Sequence, residues 1–130
     1  ISVTASTLDQ NYSSQASIDI GMAQPKILFY KNDGALGTIW EQSLLDSHKI
    51  QGAEVIEAVP YFVSPKEIFN PTLVWNWFIN DTRVNLPSVK KNLMPLQAEA
   101  GTSGTSVLKL NIENKSKIFQ TTEKEINIQF

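Results

Sequence analysis

The chain has 130 residues, with 11 Lys and Arg, 13 Asp and Glu, one His and no Cys. A formal charge of −2 excludes a broad basic surface for nucleic acid, and the absence of Cys excludes a disulfide staple, a thiolate metal site and a Cys nucleophile. Apolar residues at 42% and charged residues at 18% describe a globular chain with a real core, and no apolar run approaches the roughly 18–20 residues of a membrane span.

The dominant period along the chain is two. Ile1, Val3 and Ala5 alternate with Ser2 and Thr4, a polar turn runs from Asp9 to Ser14, and Ala16, Ile18 and Ile20 alternate with Ser17 and Asp19. Two alternating runs around a turn predict a β-hairpin over residues 1–20. The chain begins at Ile1, which fits either a removed leader or a piece of a longer protein. Residues 21–25, with Gly21 and Pro25, read as a linker.

A compact apolar strand is expected at Lys26–Tyr30, stopped by the turn signal Asn32, Asp33 and Gly34. From Ala35 to Lys49 the spacing of Ile39, Trp40, Leu44 and Leu45 allows either one or two helical turns or a loop that drops Trp40 onto the edge of the core. Ala53–Val63 reads as a strand with Val55, Glu57, Val59 and Tyr61 on one face and Ile56, Ala58, Pro60 and Phe62 on the other. Pro60 puts that end at an edge or bend.

Thr72–Ile79 is the most apolar strand. Leu73, Trp75, Trp77 and Ile79 share a face, and Asn80, Asp81 and Thr82 end the strand in a turn. Short strands follow near Arg83–Leu86 and Asn92–Gln97. Ala100–Gly104 is a flexible connector, and Ser106–Ile112 and Thr122–Phe130 are the last two strands. Many short strands with turns between them predict an all-β sandwich.

The two ends of the chain share a plan. Ile1, Val3, Ala5, a turn, then Ala16, Ile18 and Ile20 mirror Leu108, Leu110, Ile112, a turn, then Lys124, Ile126 and Ile128. Either two amphipathic hairpins look alike by chance, or both are the final strand pair of one domain type. On the second reading residues 1–20 end a preceding module or exchange strands with another copy, and residues 26–130 form one complete module. The apolar residues Ile1, Val3, Ile18 and Ile20 are then inter-module contacts, because an isolated hairpin is barely stable in water.

Residues 73–84, with Trp77 followed by Asn80 and Asp81, resemble the central strand and turn of immunoglobulin-like and PKD-like domains. With Lys26–Tyr30, Ala53–Phe62 and the last two strands, the arrangement resembles tandem immunoglobulin-like modules of uncharacterised surface proteins from candidate-phylum bacteria. The chain departs from antibody domains in lacking both core cysteines, so Trp77 is expected to pack on aliphatic residues alone. It also lacks the WDFGDG-like step of PKD domains. The resemblance implies an immunoglobulin-like antiparallel β-sandwich with an extra N-terminal β-hairpin. It also implies a non-enzymatic structural or adhesive role outside the cell or on its surface. The implied partners are other copies or flanking modules of the same protein.

Three chemistries compete with this role. His48, beside Ser47 and Asp46, is the one residue suited to general-base work, but adjacent residues do not converge as a triad, and a solvent-exposed loop His is the simpler reading. Asp33 and Asp81 lie in turns without the spacing that collects oxygens around Ca²⁺, so turn formation explains them, and no cofactor or metal is expected. Trp40, Tyr61, Phe62, Trp75 and Trp77 form a candidate stacking platform for sugars. Of these, Trp40 is the best ligand contact because it lies in an irregular segment, and a carbohydrate-binding module is the alternative function. Sequons at Asn11, Asn80 and Asn114 all fall in expected turns, where a glycan would be accommodated.

Overall fold

A computed structural model describes all residues except 1, 20, 22, 88, 118 and 119. The predicted inter-module residues Ile1 and Ile20 therefore lie outside the described residues. The fold is all-β, with no helix among the described residues. Eleven strands are described: β1 (Ser2–Ser6), β2 (Ser13–Ser17), β3 (Lys26–Asp33), β4 (Gly37–Thr38), β5 (Ser47–Lys49), β6 (Ala53–Tyr61), β7 (Leu73–Ile79), β8 (Thr82–Val84), β9 (Leu93–Gln97), β10 (Thr105–Asn114) and β11 (Thr121–Gln129). They form a two-stranded sheet β1-β2, a four-stranded sheet β4-β3-β6-β9 and a five-stranded sheet β5-β11-β10-β7-β8. All pairings are antiparallel except β5 with β11, which is parallel.

The alternation of the sequence decides which side chains meet. Ile27, Phe29, Ile56, Ala58 and Met94 from the four-stranded sheet share one buried core with Leu73, Trp77, Leu108, Leu110, Ile112, Ile126 and Ile128 from the five-stranded sheet. Trp75 and Ile79 pack against that core, so the four-residue apolar face expected of β7 is the inner face. Trp77 lies opposite Leu110 on β10. Its ring stacks on Phe29 at 5.6 Å, which corrects the expectation of purely aliphatic neighbours. Burying the indole also requires a partner for its N–H, and Nε1 donates to the Lys91 carbonyl at 2.8 Å.

Both strand prolines sit where the ladder has no use for an N–H. The Ala58 N–H donates to the Asn92 carbonyl, so the ring nitrogen of Pro60, two residues on, faces the same side, beyond the last β6–β9 pair at Glu57. Pro95 lies in β9, an edge strand. The β7–β8 turn uses Asn80 and Asp81 at φ 47° and 61°, the left-handed pair that a two-residue hairpin requires.

Between Ala35 and Lys49 the chain forms β4, β5 and loops rather than a helix. Helical spacing of four apolar residues was outweighed by a local hairpin of β4 with β3 and by pairing of β5 with β11, far away along the chain.

Candidate functional site

The outward face of the four-stranded sheet carries a cluster of polar and aromatic side chains. In β3 the inward residues are Ile27 and Phe29, so Leu28, Tyr30 and Asn32 point outward. Glu57 of β6 lies directly opposite Tyr30. Tyr30 is nevertheless only 6% exposed, because Trp40 and Tyr61 lie against it. The Tyr30 and Trp40 ring centroids are 5.2 Å apart with planes tilted by 54°, and the Tyr30 and Tyr61 hydroxyls are 3.0 Å apart. This hydroxyl contact, followed by burial, pushes the Tyr30 phenol above its ordinary pKa.

Local backbone chemistry places Trp40 there. The Asp33 carboxylate accepts hydrogen bonds from the Ala35 and Leu36 N–H groups at 2.8 and 3.0 Å, which turns the chain out of β3. Those two bonds hold the Asp33 carboxyl below its ordinary pKa. Beyond β4 the loop runs back along β3. Ile39 N–H donates to the Lys31 carbonyl and Leu44 N–H to the Phe29 carbonyl, and the two ties bracket Trp40 over Tyr30. The indole remains 57% exposed.

Beside the rings, Glu57 gathers three neutral donors. Its Oε2 accepts from Asn32 Nδ2 at 2.9 Å and from the Thr38 hydroxyl, and its Oε1 accepts from Asn92 Nδ2 at 3.2 Å. Tyr61 ends β6, and the next residue, Phe62, is exposed with a φ of 62°. Such a conformation costs a bulky residue on the order of 1–3 kcal/mol.

The structure separates the five aromatics grouped by the sequence. Trp75 and Trp77 face the core, and Trp40 and Tyr61 meet on the outer face through Tyr30. Tyr30 and Glu57 had not been singled out. The signal for Glu57 is a carboxylate on the face of β6 that otherwise carries Val55, Val59 and Tyr61.

His48 lies in β5 and is half-buried, not in an exposed loop. Its Nε2 is 3.0 Å from Glu54 Oε2, so its side-chain partner is a carboxylate from β6 and neither of its neighbours Ser47 and Asp46. Burial alone would raise the Glu54 carboxyl. The hydrogen bonds with His48 and the Gln51 N–H, with Lys31 nearby, hold it below the usual glutamate range. Asp81 serves the β7–β8 turn, as Asp33 serves its own.

Val3 and Ile18 of the N-terminal hairpin are exposed, and β1 and β2 pair with each other in a sheet of their own. Of the sequon residues, Asn11 is exposed in the β1–β2 turn. Asn80 is exposed but committed, accepting from Val107 N–H at 2.8 Å and donating to Ser106 Oγ at 3.2 Å. Asn114 is only 4% exposed, and its amide nitrogen donates to Gln120 Oε1 and Glu67 Oε2. That turn does not present its asparagine to solvent, because the Glu67 segment covers it. Comparison with known protein families, curated proteins and solved structures finds no match to the chain.

Proposed function

We propose that the chain is a non-enzymatic structural or adhesive module with an immunoglobulin-like β-sandwich, acting outside the cell or on its surface. Its N-terminal hairpin pairs with another copy or a flanking module of the same protein. The strand order supports the immunoglobulin-like part. After β4 the chain passes back and forth between the two sheets, with β6 and β9 in one and β5, β7, β8, β10 and β11 in the other. Such alternation agrees with a Greek-key sandwich whose core Trp, Trp77, lies on β7 of the five-stranded sheet. The Cys-free composition, rich in Ser, Thr and Asn, agrees with a surface setting.

The observation that carries the pairing is the hairpin itself. Val3 pairs with Ala16 in β1–β2, and Leu110 pairs with Lys124 in β10–β11. Aligning Ile18 with Ile126 sets Val3 on Leu110 and Ala5 on Ile112. The hairpin thus carries the register of a terminal strand pair but lacks the strands that flank one. A second copy supplies such strands by sheet extension.

Sedimentation and negative-stain electron microscopy of the protein over a range of concentrations test this. Association that rises with concentration, and that Val3→Lys abolishes without changing the melting curve at concentrations where the parent is monomeric, is the expected result. A protein that stays monomeric throughout overturns pairing between copies.

A further inference from the structure

The outward face of the β4-β3-β6-β9 sheet has a chemistry that strand pairing does not use. We propose that Trp40, Tyr61 and Glu57 form a binding site for a neutral oligosaccharide, with Trp40 as the stacking surface. The inference is independent of the hairpin's role.

A pyranose ring has one C–H-rich face and a rim of hydroxyls that both donate and accept. It therefore needs a flat apolar surface flanked by polar groups already fixed in place. Trp40 provides the surface. Its indole is largely exposed, yet it is held by its contact with Tyr30 and by backbone ties on both sides, so little freedom is lost on binding. A large exposed aromatic pinned in this way is uncommon on a surface and typical of an anchor contact.

The rim partners lie next to it. Glu57 is oriented by Asn32, Thr38 and Asn92, all neutral, which fix the carboxylate without neutralising its charge. Each carboxylate oxygen accepts more than one hydrogen bond, and Oε1 has a single donor here. The paired Tyr30 and Tyr61 hydroxyls add a group that both donates and accepts. The backbone strain at Phe62, immediately after Tyr61, falls at the border of the same patch.

Other ligand classes fit less well. A phosphate-bearing ligand meets Glu57 and a chain of net charge −2. A purely apolar partner would bury the Glu57 carboxylate against no cation.

The test is a titration of the protein with neutral gluco-, manno- and chito-oligosaccharides, followed through the three indole N–H resonances. The signal lost in Trp40→Phe identifies Trp40. A saturable shift of that signal with one sugar class is expected, with the buried Trp77 signal unmoved. Trp40→Ala should bind at least about tenfold more weakly. Tyr61→Phe, which keeps the ring and loses the hydroxyl, should bind a few-fold more weakly, and both variants should keep a cooperative unfolding transition with the buried Trp77 signal in place. Tetramethylammonium serves as the cation control. A Trp40 signal moved by no sugar, moved only by the cation, or moved equally well with binding retained in Trp40→Ala overturns the proposal.

Discussion

In β10 the side chain of Leu110 is fully buried, whereas Val3, which holds the matching place in β1, is 64% exposed. The two hairpins share their alternation and their pairing, so neither property explains the difference. What differs is what lies on either side. β10 is flanked by β7, β11 is flanked by β5, and the core side chains of the four-stranded sheet close over both. Among the described residues, β1 and β2 pair in a two-stranded sheet with no flanking strand. Alternation prepares a strand to be buried on one face, and its neighbours decide whether it is.

The strongest way to break this comparison is to remove what covers β10. Trp77 pairs with Leu110 and stacks on Phe29, so it joins the hairpin to both sheets. Trp77→Ala should cost about 3–5 kcal/mol in urea denaturation, from lost contact and the cavity left behind. A cost below about 1 kcal/mol would mean that the shared core is not what distinguishes β10–β11.

The direct comparison comes next in size. Leu110→Ala should cost about 2–5 kcal/mol. Val3→Ala, at the matching position, should stay within about 0.5 kcal/mol at concentrations where the protein is monomeric. If association covers the hairpin, the Val3 value should grow as concentration rises, because binding stabilises the bound form by mass action. Equal costs at both positions under dilute conditions would erase the difference.

Much of this was legible in the sequence, and the failures have physical reasons. β10 and β11 carry alternation and β7 is apolar nearly throughout, and the inner faces of all three are the ones read from the sequence. The Asn80–Asp81 turn was legible because few residues accept positive φ twice in succession. β5 was not, since Ser47, His48 and Lys49 have no apolar alternation and are a strand only by parallel pairing with β11. The Phe29–Trp77 stack joins residues on different sheets, which no local pattern encodes. The outer-face cluster was half legible. Trp40 stood out in an irregular segment, but Tyr30 read as one more apolar strand residue. Only the loop that folds back along β3 brings the two together. Asn114 illustrates the opposite error, a polar turn residue that the chain near Glu67 covers.

A smaller effect should come from the tie between the β7–β8 turn and β10. Asn80 accepts from Val107 N–H and donates to Ser106, while holding a left-handed backbone. Asn80→Ala loses both bonds and places a Cβ without a compensating side-chain bond at positive φ. A loss of about 1–2 kcal/mol in thermal or urea unfolding is expected. Asn80→Gly should recover part of it by relieving the backbone alone.

The smallest effect concerns the outer edge of β11, where β5 supplies the neighbour that β2 lacks. His48 on β5 reaches Glu54 on β6, so this contact also joins one sheet to the other. Lys31 Nζ lies 3.4 Å from the other carboxylate oxygen. The folded state holds Glu54 below its ordinary pKa despite its burial, so it favours the anion relative to the unfolded chain. That contribution is fully present above the unfolded glutamate value and fades as pH falls below it through the folded one. The comparison to make is unfolding of the parent protein and of Glu54→Gln at neutral pH and again in acid. The parent should be the more stable at neutral pH, and the gap should close on acidification, since a neutral Gln has no proton to gain. A gap that stayed constant with pH would show that Glu54 acts by its shape and hydrogen bonds alone. The tie that closes the β11 edge would then owe nothing to the charge that His48 and Lys31 surround.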